Sequence, residues 1–194
     1  MSFDLILKNI ARHIDLDEEE KLFFTSLLHA KQVKRKQFIL QEGEISKDSI
    51  FVIQGCLRGY TVDKNGFEHV LSFAPPNWWI ADMYSLLTQN PANLNIEALV
   101  DTDVFTLSKK DQERLYLRVP KFERFFRIII EKSLVSNQQR LIDNFSLTAE
   151  ERYLNFCKRY PGLIETVPLK QIASFIGITP EFLSKLRGRI HSNK

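Results

Sequence analysis

The chain has 194 residues, 44% apolar and 26% charged, an ordinary globular composition with room for one large or two small cores. Its two cysteines, Cys56 and Cys157, lie far apart with no CxxC or Cys/His spacing, which argues against a disulfide scaffold, structural zinc or an iron-sulfur centre. The net charge of +3 is unevenly spread: residues 1–120 hold 14 Lys and Arg against 17 Asp and Glu (−3), and residues 121–194 hold 13 against 7 (+6). The C-terminal half is therefore the one suited to a polyanion, although a solvated basic face would carry the same charge.

The N-terminus MSFDLILKN places Asp4 where a signal peptide needs basic residues, and the longest apolar run, FFRIII at 125–130, is broken by Arg127 and too short to span a bilayer. These features and the scarce thiols predict a cytoplasmic protein without a membrane partner. A first helix is expected from about Asp17 to Ala30, with Asp17 as N-cap and Glu20 completing a capping box. From Val33 to about Ser108 the pattern turns to short strands, VKRKQFIL, SIFVI, CLRGYTV, EHVLSFA, NIEALV and DVFTLS. Turn signals at Glu42-Gly43-Glu44, Gln54-Gly55 and Lys64-Asn65-Gly66 separate several of them, as in a sandwich, jelly roll or barrel.

Helical periodicity follows from Asp111 through about Phe145. Ile130, Leu134, Asn137 and Leu141 have the 4,3,4 spacing of a seam between two helices, and Phe122, Phe125, Phe126, Ile128 and Ile129 widen the apolar stripe. Such a helix either packs wholly on its own β domain or covers that domain with one face and pairs with a second subunit through another.

The segment from Pro168 to Ile190 reads as two short helices around a tight turn. Ile172, Phe175 and Ile176 form the inner face of the first, Gly177 supplies the turn, and Ile178 fills the angle. Thr179 caps the second helix and Pro180 takes its first position. Leu183, Leu186 and Ile190 bury that helix, while Glu181, Ser184, Lys185, Gly188 and Arg189 recur on the opposite side. Glu, Ser and Lys there suit base edges in a major groove; Lys170, Arg187 and Arg189 suit phosphates. An antiparallel helix pair with a solvated basic face is the plainer alternative.

Glu181-Phe-Leu-Ser184-Lys185 resembles the E-x-x-S-R recognition-helix pattern of the Crp-Fnr superfamily of bacterial transcription regulators. Gly43-Glu44, Gly55 and the stretch Asn77–Ser108 also resemble that family's cyclic-nucleotide-binding domain in order and spacing. The resemblance implies an α+β protein: a β-roll sensor (jelly roll) over 1–120, a dimerisation helix over 121–145, and a helix-turn-helix over 146–194, with Tyr153 to Tyr160 leading into it. It further implies a homodimer on double-stranded DNA, with RNA polymerase as a further candidate partner. The family's base-reading positions fall on Glu181, Ser184 and Lys185, with lysine replacing the usual arginine and losing its bidentate fork. The sequence stops four residues after Ile190, where many relatives continue into a wing, so a truncated or absent wing is expected.

In the family's phosphate cassette, Asp82 falls at the ribose-binding carboxylate, but Ala92 and Asn93 replace the Arg-Ser pair and Ala81 the preceding glycine. Without the arginine, cyclic AMP is not expected to bind in the family's usual way. Phe73, Trp78, Trp79, Met83 and Tyr84 are candidates to line a pocket for a different, unidentified effector; aromatic side chains at this density are also what a packed core requires. No cofactor is assigned: His13, His29, His69 and His191 lack a distinctive ligand setting, and Cys56 has no activating neighbour in the sequence. Enzyme motifs are missing too. Glu68-His69 lacks the second histidine of a cupin metal site, and Asp82 with Glu97 is a weak carboxylate pair. The remaining alternative is a ligand-binding or protein-docking module that does not engage DNA.

Overall fold

The computed structural model describes residues 1–192, with side chains to Ile190. Two compact units result, residues 1–61 with 73–132, and residues 62–72 with 133–194.

The first unit begins with two helices, α1 (Asp4–Ala11) and α2 (Glu18–Ser26), where the sequence predicts one. α1 lacks a start signal, because its N-cap Phe3 offers no side-chain acceptor; it buries Ile6 and Ile10. α2 begins at the expected capping box, in which Glu20 N–H donates to Asp17 Oδ1 (2.8 Å) and Asp17 N–H to Glu20 Oε2 (3.0 Å). It ends at Ser26 instead of Ala30, since His29 and Ala30 already belong to β1 (His29–Val33) and pair with Thr106 and Phe105. Tertiary pairing here overrides local helical preference.

The remaining strands are β2 (Phe38–Leu40), β3 (Asp48–Gln54), β4 (Leu57–Val62), β5 (Glu68–Ala74), β6 (Trp79–Ile80), β7 (Asn95–Ala98) and β8 (Thr102–Ser108), with α3 (Met83–Thr88) after β6. They form two four-stranded sheets, β1-β8-β3-β6 and β2-β7-β4-β5. The run VKRKQFIL splits between β1 and β2 at Lys36, whose φ of 66° turns the chain. One core inside the roll gathers Val33, Val52, Leu57, Ile96 and Val104. A second gathers Ile6 and Ile10 of α1, Phe24 of α2, and Phe51 and Phe105 of the first sheet.

Gly55 holds the β3–β4 turn at φ +88°, and a Cβ there would lie 2.5 Å from Thr102 Oγ1 and 2.6 Å from the Asp101 carbonyl. Glycine is required by conformation and by space together.

The predicted helical stretch from Asp111 is two helices, α4 (Lys109–Arg118) and α5 (Lys121–Ser146). Ser108 Oγ caps α4 by accepting from Asp111 N–H at 3.0 Å, and Pro120, lacking an N–H, separates the two. Phe122, Phe125 and Phe126 of α5 are buried in the second core, stacking or edging on Phe24 and Trp79 at centroid distances of 4.8 to 6.2 Å.

The second unit contains the hairpin segment 62–72, the C-terminal part of α5, and α6 (Ala149–Arg159), α7 (Leu163–Thr166), α8 (Leu169–Ile176) and α9 (Pro180–Ser192). Thr148 and Glu151 form a second capping box that restarts the chain as α6 just after α5. Phe156, Tyr160 and Phe175 pack their rings at 5.2 to 5.8 Å beside buried Ile172, Leu183 and Leu186. Among the described residues no strand follows β8, and no helix is long and apolar enough to cross a membrane.

Replacing Gly55 by alanine is expected to cost about 2–3 kcal/mol, whereas Gly43→Ala, at a similar φ but with open space, should cost about 1 kcal/mol. Urea midpoints at unchanged m-value provide the comparison; equal losses would mean that the contact with Thr102 is not limiting.

Candidate nucleic-acid interface

α8 ends at Gly177, whose left-handed φ of 71° lets Ile178 N–H return to the Ala173 carbonyl at 3.0 Å. A Cβ on Gly177 would meet only Arg152 Nη1, at 3.7 Å, so the backbone angle is what demands glycine here. Thr179 Oγ1 then accepts from Phe182 N–H at 3.2 Å, and α9 starts at Pro180. Leu183 and Leu186 are buried and Ile190 is half-buried. Glu181, Ser184, Lys185, Gly188 and Arg189 are all exposed, as is Lys170 near the start of α8. At 100° per residue these five positions of α9 share one side of the helix.

Arg187 departs from the expected set. It is half-buried, and its charge acts on Tyr153 and Cys157 of α6, opposing the upward pressure that burial puts on both their pKa values. The guanidinium thus belongs to the α6–α9 contact and not to the exposed face. Phe182, which the periodicity assigned to neither face, is 48% exposed and neighbours Lys185 and Arg189 around the helix.

A connection absent from the sequence reading links α8 to the hairpin. Ser174 Oγ donates to the Glu68 carbonyl at 2.8 Å and accepts from Val70 N–H at 2.9 Å, so one hydroxyl serves two backbone groups of β5. Gln171 Nε2 donates to Glu68 Oε2 at 3.3 Å, and Arg140 Nη1 of α5 to the Val70 carbonyl at 3.4 Å. The hairpin is itself braced by Asp63, whose Oδ1 accepts from the N–H groups of Asn65 and Phe67 and whose Oδ2 lies 3.0 Å from His69 Nε2.

The residues expected around an effector are not gathered into one cavity. Phe73 is buried, Trp78 packs on the core inside the roll, and Trp79 packs against Phe51, Phe125 and Phe126 in the other core. Met83 and Tyr84 are exposed on α3. Asp82 is 2% exposed; its Oδ1 caps α3 through Ser85 N–H (2.9 Å), and its Oδ2 accepts from Asn93 and Leu94 N–H (3.0 and 3.1 Å). Ala92 is buried and its backbone pairs with the Gly43-Glu44 turn, whereas Asn93 is exposed. Of the expected aromatics, Phe73, Trp78 and Trp79 serve packing and Tyr84 does not.

His13 lies 3.3 Å from Lys132 Nζ; the side chain of His191 falls outside the described residues. Among the described residues no three His, Cys, Asp or Glu side chains converge as a metal site. Cys56 is buried, and burial pushes its thiol up to about 12, which disfavours the reactive thiolate.

Residues 30–118 match the cyclic nucleotide-binding domain family. The anaerobic regulatory protein of Haemophilus influenzae is 23% identical over 96% of this chain and 76% of its own length. The probable transcriptional regulator flp of Lacticaseibacillus casei is 26% identical over 93% of this chain and 84% of its own. In fold, the chain is similar to FixK2 from Bradyrhizobium japonicum, with a TM-score of 0.73 and 19% identity over 86% of this chain and 85% of that one. Over most of its length the chain is thus similar to regulatory proteins, and in fold to FixK2. By name, the first of these relatives is a regulatory protein and the second a probable transcriptional regulator.

The roll holds a buried ion pair that the sequence reading missed. Arg58 on β4 faces Glu97 on β7 in register, with Nη2 2.6 Å from Glu97 Oε2, and its guanidinium lies 3.9 Å from the Tyr60 ring centroid. Glu97 is therefore committed to Arg58. Only the inward alternation of Arg58 within CLRGYTV could have signalled this.

Asp82, expected from the resemblance at a cassette position, serves three backbone donors. Asp82→Ala is expected to lower unfolding stability by about 2–4 kcal/mol, while exposed Asn93→Ala should stay within about 0.5 kcal/mol. Chemical denaturation tests this, and an unchanged midpoint for Asp82→Ala would contradict a structural role.

Proposed function

We propose that this chain is a cytoplasmic, homodimeric, sequence-specific DNA-binding regulator whose α9 enters the major groove. The observation that carries the reading is the exposed face of Glu181, Ser184 and Lys185 on a helix held by a capped start and a left-handed glycine turn. Glu181 can accept from cytosine N4 and Lys185 can donate to guanine, while exposed Phe182 can contact a thymine methyl. Lys170 and Arg189 supply phosphate contacts, with Thr179 as the helix cap beside them.

The dimer reading is supported by α5. Ile130, Leu134 and Leu141 are exposed in the single chain together with Val135, Ile142 and Phe145, the last at 88%. Exposed apolar residues at this density call for a covering partner, and a second copy of the same helix would meet them symmetrically around Asn137. Two α9 helices would then address half-sites about 34–36 Å apart. Cyclic AMP in the family's usual pose is not part of this reading, because the Asp82 carboxylate already accepts three backbone N–H groups and Ala92 brings no guanidinium.

Selection of bound sites from random duplex DNA should return a two-fold-related sequence; a sample no different from its input would refute the reading. On that site Lys185→Ala should relax preference at one base pair by about 1–3 kcal/mol, whereas Arg189→Ala should weaken all duplexes alike and reduce the salt slope by about one. Leu134→Glu with Leu141→Glu should convert a dimer to a monomer in sedimentation equilibrium and remove cooperative site binding. A doubly substituted chain that remains dimeric would place the interface elsewhere.

A further inference from the structure

Between the C-terminal part of α5, α6 and the end of α8, wholly within the second unit, lies a partly open cavity of about 60 Å³. At roughly 10–15 Å³ of such space for one enclosed water, that is room for one small polyatomic group. Three arginines line it, Arg140 from α5 and Arg152 and Arg159 from α6, over an apolar floor of Phe175 and Ile176. Asp143 is the one carboxylate among the lining residues, and its oxygens already accept from Gln139 Nε2 at 2.8 Å and Asn155 Nδ2 at 3.4 Å. The lining residues thus include three guanidinium groups and one carboxylate.

The hydrogen bonding of two of these arginines is incomplete. Arg140 Nη1 reaches the Val70 carbonyl and Arg152 Nη1 the Asn144 carbonyl, both at 3.4 Å, but the Nε atoms of Arg140 and Arg152 are buried with no hydrogen-bond partner. Buried N–H donors on cations are costly when unmatched, and structures normally satisfy them. Burial lowers the pKa of Arg140, and neighbouring Arg159 adds to that effect, while Tyr160 opposes it. An anion would offset the like-charge crowding of Arg140 and Arg159.

We propose that this cavity is a binding site for an oxyanion, the phosphate group of a small molecule, held by Arg140, Arg152 and Arg159. Guanidinium forks match the spacing of phosphate oxygens. A small molecule fits better than the DNA backbone because the floor residues Phe175 and Ile176 lie on the buried side of α8, away from the exposed face of α9. The site also borders the helix-turn-helix turn: Ile176 immediately precedes Gly177, and Arg152 lies 3.7 Å from where a Cβ on that glycine would stand. An occupant would therefore order the turn that sets the start of α9.

The test uses the full chain without DNA, titrated with inorganic phosphate at constant ionic strength balanced by chloride, and read by thermal melting and calorimetry. The expected result is a saturable rise in Tm of a few degrees that chloride does not produce. Affinity should fall at least about tenfold in Arg152→Gln and in Arg140→Gln, with Arg159→Gln as the substitute if either variant fails to melt cooperatively. No saturable response in the wild-type chain, or an undiminished response in the folded variants, would overturn the proposal. A flat phosphate titration combined with an Arg152→Gln salt slope on duplex DNA smaller by about one would identify the anion as backbone phosphate, and would overturn it too. The first arm contains no DNA, so its failure is distinguishable from failure of the DNA-binding reading.

Discussion

Burial of Phe122, Phe125 and Phe126 is the constraint on which the first unit depends. These three rings anchor the first turns of α5 among Phe24, Trp79 and the helices that precede the roll. Aromatic side chains of this size bring the largest apolar area per residue to a core, so the start of α5 is fixed with little freedom to slide or roll. Farther along the helix, in the second unit, Leu134 and Leu141 are exposed.

The polar residues of the roll follow a similar logic of commitment. Arg58 is matched to Glu97 across a strand pair, and Asp82 is matched to three N–H groups around α3 and the segment before β7. A buried charge without its counterpart costs several kcal/mol, so each pair fixes the local geometry more firmly than apolar packing would. In the stretch that matches the cyclic nucleotide-binding domain family, these buried charges serve internal cohesion.

Much of this was legible because it is local. The capping box at Asp17 and Glu20, the glycine turns at Gly43, Gly55 and Gly66, and the sequence Gly177-Ile-Thr-Pro all encode their geometry within a few residues. What was not legible depends on partners distant in sequence. α1 has no side-chain cap to announce it, β6 is two residues long, and β1 is a strand because β8 lies beside it. Trp78 and Trp79 are adjacent in sequence but enter different cores, and nothing in the local pattern separates an aromatic that lines a pocket from one that closes a layer. Arg187 shows the same limit on α9, where its charge suggested an outer position and packing drew it toward α6.

β5 stands at the margin of its sheet, where a strand ordinarily offers unpaired backbone groups to any passing chain. The Ser174 hydroxyl occupies two of those groups, the Val70 N–H and the Glu68 carbonyl, and Arg140 takes a third. The contact between α8 and the hairpin therefore also serves as insulation. A movement that lifts α8 away leaves a sticky strand margin bare, so large excursions of the helix-turn-helix carry a risk of self-association unless other groups take over that edge.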